Sequence, residues 1–249
     1  CVQQHADPQV AAIVITHGTD TLEETAWFLQ CVLPAGKPVV LTCAMRPASA
    51  LSADGPANLR DALACAADGG ALAWAQAGQP VLVVAAGEVH SAAAVRKAHA
   101  HQVHAWSAAP AGPVAWVEEG RLRWAQRLPQ QVVVKNAVPL PPLPWPWVEV
   151  VTSHAGARAA GVAALVAAGV RGLVVAGTGN GTVHAAWLPA LQRAQAAGVP
   201  IVRTTRCAEG RIVQAPGQDD DEVVGLRPLK ARISLMLRCM SPSVPRPSK

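Results

Sequence analysis

Tyrosine is absent from this sequence and phenylalanine occurs once, so the aromatic bulk rests almost wholly on eight tryptophans. Charge is sparse too. Asp, Glu, Lys and Arg make up 15% of the chain against 51% hydrophobic residues, a balance that excludes a disordered polymer and demands a buried core. The basic residues are scattered rather than striped, so the net charge of +5 gives no support to a nucleic-acid partner. No apolar run approaches the roughly 20 residues that cross a bilayer, and no membrane partner is expected. CxxC pairs are missing as well. The six cysteines at 1, 31, 43, 65, 207 and 239 read as reduced, core-packed thiols rather than a disulfide framework. No signal peptide is visible, which points to the cytoplasm, with the periplasm as the alternative. The chain opens at Cys1 without a methionine, so its true beginning is expected upstream.

What is present is a strand-then-helix rhythm. AAIVIT (11–16) is a short apolar run suited to a strand buried on both faces. Leu22, Ala26, Leu29 and Leu33 then form one helical stripe, and Thr21 and Glu24 have capping-box spacing at its start. KPVVLTC (37–43) is the next strand, 56–67 the next helix, and QPVLVVAAG (79–87) a third strand with its closing glycine. Residues 113–117 and 121–125 read as a hairpin across Glu118–Gly120. The proline-dense stretch at 128–146 suits an extended linker. Alternation then resumes, with strands expected at 147–152, 172–176 and 200–204 and helices near 155–168, 183–197 and 228–238. The fold expected is α/β, in two domains with mainly parallel sheets flanked by helices. The larger is N-terminal (1–127), the smaller C-terminal and flavodoxin- or Rossmann-like (147–240), followed by a disordered tail at 241–249.

VITHGTDTLEETAWFL (14–29) carries the chemistry. A buried strand ends at Thr16, the chain turns through His17–Asp20, and a helix begins after Thr21. Carboxyl ends of strands in open parallel sheets are where ligands bind, beside helix N-termini that favour negative charge. That places the Thr19 hydroxyl and Asp20 carboxylate where a small substrate could meet them. On spacing alone both also serve as ordinary turn and cap residues, the commoner use of Thr and Asp there.

GTDTLEETAWFL resembles a signature of the bacterial asparaginase/glutaminase family, KPVVLTCAMRPASALSADGPANLRDAL (37–63) its following block, and VRKAHAHQVHAW (95–106) the region of its active-site lysine. The resemblance implies a catalytic triad of Thr19, Lys97 and Asp20, with the backbone at Ala44 in the substrate site. It also implies hydrolysis of an amino-acid amide without metal or cofactor, in a homotetramer whose subunits share active sites. The chemistry is coherent. A threonine hydroxyl is a poor nucleophile until a base takes its proton. A lysine is a base only where its surroundings disfavour the ammonium. Arg46 and Asp54 are expected to tie the intervening loop as a structural ion pair, and His17 to be hydrogen-bonded structure.

GTGNGT (177–182) contributes an asparagine to the neighbouring subunit's site in that family. Asn180 matches it, while a second asparagine is replaced by Thr182, whose hydroxyl has shorter reach. The same hexapeptide gives a weak dinucleotide signal, since position 182 lacks the third glycine and no acid follows at the usual distance. His99, His101 and His104 raise a zinc site. However, on a strand His104 would point away from the other two, and no further ligand lies at suitable spacing.

The match also departs from the family. Its opening strand with a Gly-Gly-Thr-Ile turn, bearing the threonine assigned as nucleophile, does not occur in these residues, nor does its loop tyrosine. An N-terminally incomplete member is therefore expected, with an exposed sheet edge where that strand would pair. The family's partner-subunit glutamate falls at Gly217. Glu209, Asp219, Asp220 and Asp221 are near, but none is assignable to the role. A non-catalytic relative and a nucleotide-binding α/β protein stand as the alternatives.

Overall fold

The structure, a computed structural model, describes residues 1–126, 143–214 and 225–240. It divides into two compact units, Cys1–Pro139 and Leu140–Lys249. Most of the expected linker at 128–146 and the whole tail at 241–249 lie outside the described residues.

In the first unit, helix α1 (Val2–Ala6) precedes β1 (Ile13–Thr16), α2 (Leu22–Val32), β2 (Val39–Thr42), α3 (Gly55–Ala66), α4 (Gly69–Gln76) and β3 (Val81–Ala85). Then come β4 (Glu88–Ser91), β5 (Arg96–Lys97), β6 (Trp106–Ser107), β7 (Ala115–Glu118) and β8 (Arg121–Trp124). Six strands form one sheet in the order β1-β2-β3-β4-β7-β8, and β5 and β6 form a separate ladder. The three parallel strands are the expected ones. β2 and β3 are buried at every position, as strands covered on both faces must be.

One expectation needed correction here. β1 is half-buried rather than buried on both faces, because it sits at the edge of the sheet beside β2. The parallel strands are extended by β4, β7 and β8, which join antiparallel and include the expected hairpin β7–β8. Two short turns make the hairpins β3–β4 and β7–β8. Ala86–Gly87 and Glu119–Gly120 hold positive φ (51° and 76°, 50° and 73°), and a two-residue hairpin of that hand reverses a strand onto its neighbour.

Side chains lock the helices onto this sheet. The α2 stripe is buried as expected, and Gln30 on it is buried as well. Its amide donates to the Gly78 carbonyl at 2.9 Å and accepts the Val81 N–H at 3.2 Å, fixing α2 to the start of β3. Thr21 ends the preceding turn without a side-chain cap bond, so the capping box is not formed through its hydroxyl.

The second unit holds β9 (Val148–Thr152), α5 (Ala160–Ala167), β10 (Gly172–Gly177), α6 (Leu188–Ala196), β11 (Ile201–Thr205) and α7 (Pro228–Met240). Its three strands are all parallel, in the order β11-β10-β9. Alternation within the fully buried β10 explains its two-sided cover. Leu173 and Val175 pack with Val162 of α5 and Ala190, Leu191 and Ala194 of α6. Gly172 lies under Leu235 of α7, close enough that an added Cβ would meet it at 3.0 Å.

Candidate active site

β1 and β2 run in register, Thr16 beside Thr42, and the His17 N–H continues the ladder to the Thr42 carbonyl at 2.9 Å. The loops leaving these two strands, 17–21 and 43–54, therefore emerge side by side at the carboxyl end of the sheet. His17 shapes the first. Its Nδ1 lies 2.7 Å from the Gly18 carbonyl and its Nε2 3.0 Å from Thr25 Oγ1, so both ring nitrogens are engaged within the turn. The histidine is structural, as expected.

The turn presents Thr19 and Asp20, and Lys97 reaches them from β5, 77 positions along the chain from Asp20. Lys97 Nζ donates to Thr19 Oγ1 at 2.8 Å and to Asp20 Oδ1 at 2.9 Å. Thr19 Oγ1 and Asp20 Oδ1 are themselves 3.4 Å apart, closing a triangle. The surroundings that a basic lysine needs are incomplete on the carboxylate's side, where the Asp20 side chain is 93% exposed against 19% for Lys97.

Lys97 sets the electrostatics of Asp20. Its hydrogen bond, then its charge, hold the Asp20 carboxyl below the ordinary value of 3.8. The sign follows directly. A carboxylate with a depressed folded-state pKa stabilises the fold above the ordinary value, and that contribution is lost as pH falls through the lower one. In a carbon-detected titration, Asp20 is expected to protonate below 3.8 in the wild type and to move upward in Lys97→Met. An unchanged midpoint in the variant would remove Lys97 as the cause.

The second loop is built on Asp54. Its Oδ2 accepts the Met45 N–H and its Oδ1 the Arg46 N–H, both at 2.9 Å. Burial alone would raise the Asp54 carboxyl, but these main-chain donors and the Asn58 amide outweigh it and lower the pKa. The expected Arg46–Asp54 tie thus runs through the Arg46 main chain, while its guanidinium donates to Ser52. Asn58, buried on α3, anchors the loop by donating to the Cys43 carbonyl and accepting the Ala86 N–H, each at 2.9 Å. Ala44 follows directly, with its backbone at the strand end beside the Thr19 turn.

Three neighbours of the triad had no sequence signal of function. Trp106 pairs with Lys97 across the β5–β6 ladder, so the two side chains share a face, and the indole is buried. Cys43 ends β2. Burial pushes its thiol up to about 11, eased by the Trp106 N–H. Glu23, in the first turn of α2, accepts the Lys97 main-chain N–H at 2.9 Å. Cys65 is pushed up further, to about 12, again by burial. Only Cys1 and Cys207 are exposed. A disulfide reagent at pH 8 is therefore expected to label those two thiols in the native protein and the remaining four only after unfolding. Rapid labelling of Cys43 would show that the wall beside Lys97 opens to solvent.

Asn180 and Thr182 belong to the second unit and are not part of this triangle. They lie in a loop that folds onto itself through reciprocal Thr178–Thr182 main-chain bonds of 2.8 Å. Gly177 must be glycine here, since an added Cβ would meet the Gly181 backbone at 2.5 Å. The Asn180 amide is used locally, donating to the Val213 carbonyl at 2.9 Å and accepting its N–H at 2.7 Å. Among the histidines, His99 Nδ1 accepts the main-chain N–H groups of His101 and Gln102, which makes it a turn-former. No group of three or more potential metal ligands occurs among the described residues. No helix among them is long and apolar enough to cross a membrane. Gly217, Asp219, Asp220 and Asp221 lie outside the described residues.

Comparison with known proteins gives a consistent picture. Residues 1–130 match the family described as Asparaginase, N-terminal, and residues 147–243 match the Glutaminase/Asparaginase C-terminal domain. The chain is 38% identical over 241 residues to the glutaminase-asparaginase of Pseudomonas fluorescens biotype A, covering 92% of this chain and 63% of that protein. It is 35% identical over 231 residues to L-asparaginase 2 of Escherichia coli strain K12, covering 90% and 65%. It therefore spans less than two thirds of the length of both. The crystal structure of a probable cytoplasmic L-asparaginase from Campylobacter jejuni superposes with a TM-score of 0.84 at 32% identity, over 93% of this chain and 74% of that one.

Proposed function

The chain belongs to the asparaginase/glutaminase family, and from that premise we propose that it is an amidohydrolase converting L-asparagine to L-aspartate and ammonia. One observation carries the reading: Lys97 Nζ lies within hydrogen-bond distance of both Thr19 Oγ1 and Asp20 Oδ1. Amide hydrolysis by threonine-centred acyl transfer has two halves: a threonine hydroxyl attacks the carboxamide carbon and the C–N bond breaks to expel ammonia, leaving an acyl ester, and water then attacks that ester to release the acid and restore the hydroxyl. In each half a proton must leave the attacking oxygen, and the released ammonia must gain one. Thr19 and Lys97 form the relay: in its neutral form the amine takes a proton through the hydroxyl and returns it to the leaving nitrogen. Asp20 orients the amine and meets the substrate's α-ammonium with its exposed oxygen. The backbone at Ala44, in the loop held by Asp54 and Asn58, is the part of the substrate site that the family resemblance supplies. No step calls for a metal or cofactor.

The substrate class is a small amino-acid amide, with asparagine first and glutamine second. The resemblance supports a homotetramer in which the loop bearing Asn180 and Thr182 completes a neighbouring subunit's site. Cytoplasmic residence is the preferred location, with the periplasm second. Six cysteines outside any disulfide support a reducing compartment. One observation favours a second reading, a non-catalytic relative: the Asp20 side chain is 93% exposed rather than enclosed with the amine and the hydroxyl. Ammonia release by the purified chain decides between them. Release from L-asparagine above the uncatalysed rate supports the enzyme, and none at any concentration supports the non-catalytic form.

A further inference from the structure

We propose that Glu23 is a positioning residue for Lys97, an inference that rests on the amidohydrolase reading above. The reason lies in how little else holds the lysine. Lys97 sits on a strand of two residues, Arg96–Lys97, whose partner strand among the described residues is equally short and separate from the six-stranded sheet. Such a ladder cannot by itself fix a side chain to a fraction of an ångström. The Glu23 carboxylate supplies the missing tie, accepting the Lys97 main-chain N–H at 2.9 Å across 74 positions of sequence.

Glu23 is suited to that task by where it stands. It lies in the first turn of α2, directly after the turn that presents Thr19 and Asp20, and it is half-buried. Its helix is anchored to β3 through Gln30, so the carboxylate is carried on a rigid element. A single helix start therefore sets the hydroxyl, the carboxylate and, through Glu23, the backbone from which the amine reaches both. Asp20 grips the tip of Lys97 and Glu23 grips its root. With only the tip held, a long flexible side chain keeps its contacts while the strand beneath drifts. A misplacement of about 1 Å at a reacting group costs about 100-fold in rate.

Two variants separate this role from a general loss of structure. Glu23→Gln keeps a side-chain oxygen able to accept the Lys97 N–H, whereas Glu23→Ala keeps none. Two readouts are taken on each: kcat and KM for L-asparagine, and exchange of the Lys97 main-chain amide in the resting protein. Glu23→Ala is expected to lose amide protection and about 100-fold in kcat with KM within about threefold. Glu23→Gln is expected to retain protection and to stay within about fivefold of the wild-type kcat. Unchanged protection in Glu23→Ala overturns the tie. Equal damage in both variants overturns it too, because the acceptor would not be what matters. If the wild type releases no ammonia, the amidohydrolase reading fails by itself, and the exchange comparison still decides whether Glu23 holds Lys97.

Discussion

Lys97→Met lowers kcat for L-asparagine by about 10²–10⁴-fold, the range that a well-placed proton-transfer group contributes. Methionine is unbranched and close to lysine in length, so it fills the same partly buried path past Trp106 without new bulk. It removes the amine that we propose takes a proton through Thr19, whose Oγ1 lies 2.8 Å from Lys97 Nζ. KM changes far less, because Asp20 keeps its exposed carboxylate for the substrate ammonium. Lys97→Arg sharpens the test. A guanidinium preserves the charge beside Asp20 but holds its proton at every usable pH. It is therefore expected to keep the Asp20 pKa depressed while losing turnover as completely as methionine does. Substantial activity in Lys97→Arg would show that the position contributes charge alone.

Asn58→Leu destabilises the first unit by about 2–6 kcal/mol, the cost of two buried polar groups left unpaired at roughly 1–3 kcal/mol each. The groups are the Cys43 carbonyl and the Ala86 N–H, which Asn58 serves simultaneously from α3. Leucine matches asparagine in size and suits a helix, so propensity and volume do not account for the loss. Leu59→Ala on the same helix is the natural control, since Leu59 is 39% exposed and its truncation costs about 0.5 kcal/mol. Hydrogen exchange at the buried amides of β2 and β3 reads both values within one unit, without treating the two units as a single transition. Asn58→Leu is also expected to lower turnover, because the Ala44 segment follows directly from the carbonyl that Asn58 holds. Equal effects at 58 and 59 would deny that the amide is an anchor.

The parts of the fold that were legible in the sequence are those written by hydrophobic pattern. β2, β3 and β10 are continuous apolar runs bounded by glycine or proline, and the structure buries each of them completely. The stripe through Leu22, Ala26, Leu29 and Leu33 likewise marks the buried face of α2. What escaped notice lacks such a pattern. β4 reads EVHS and β5 only Arg-Lys; both exist because a turn or a long-range partner brings them to a neighbour. The β7–β8 hairpin was legible across Glu118–Gly120, whereas the reversal into β4 follows positive φ at Ala86, where alanine gives little warning.

The candidate site divides the same way. Thr19 and Asp20 were legible because a strand, a turn and a helix start fall together within a few residues. Lys97 was legible only through resemblance, since nothing local distinguishes it from a surface lysine. Glu23 gave no signal, standing beside the Glu24 of the capping-box spacing, yet it reaches 74 positions away to the main chain of Lys97. Asn58 and Cys43 gave none, because their importance is a matter of which backbone groups they meet.

Diffraction from crystals grown with L-aspartate tests the convergence at the carboxyl end of the sheet most directly. The expected map places the ligand's α-ammonium on Asp20, its side-chain carboxylate against Thr19 Oγ1, and Lys97 Nζ within about 3 Å of both protein oxygens. A Lys97 amine turned to the outer face, with the ligand bound elsewhere or absent at saturating concentration, would contradict it.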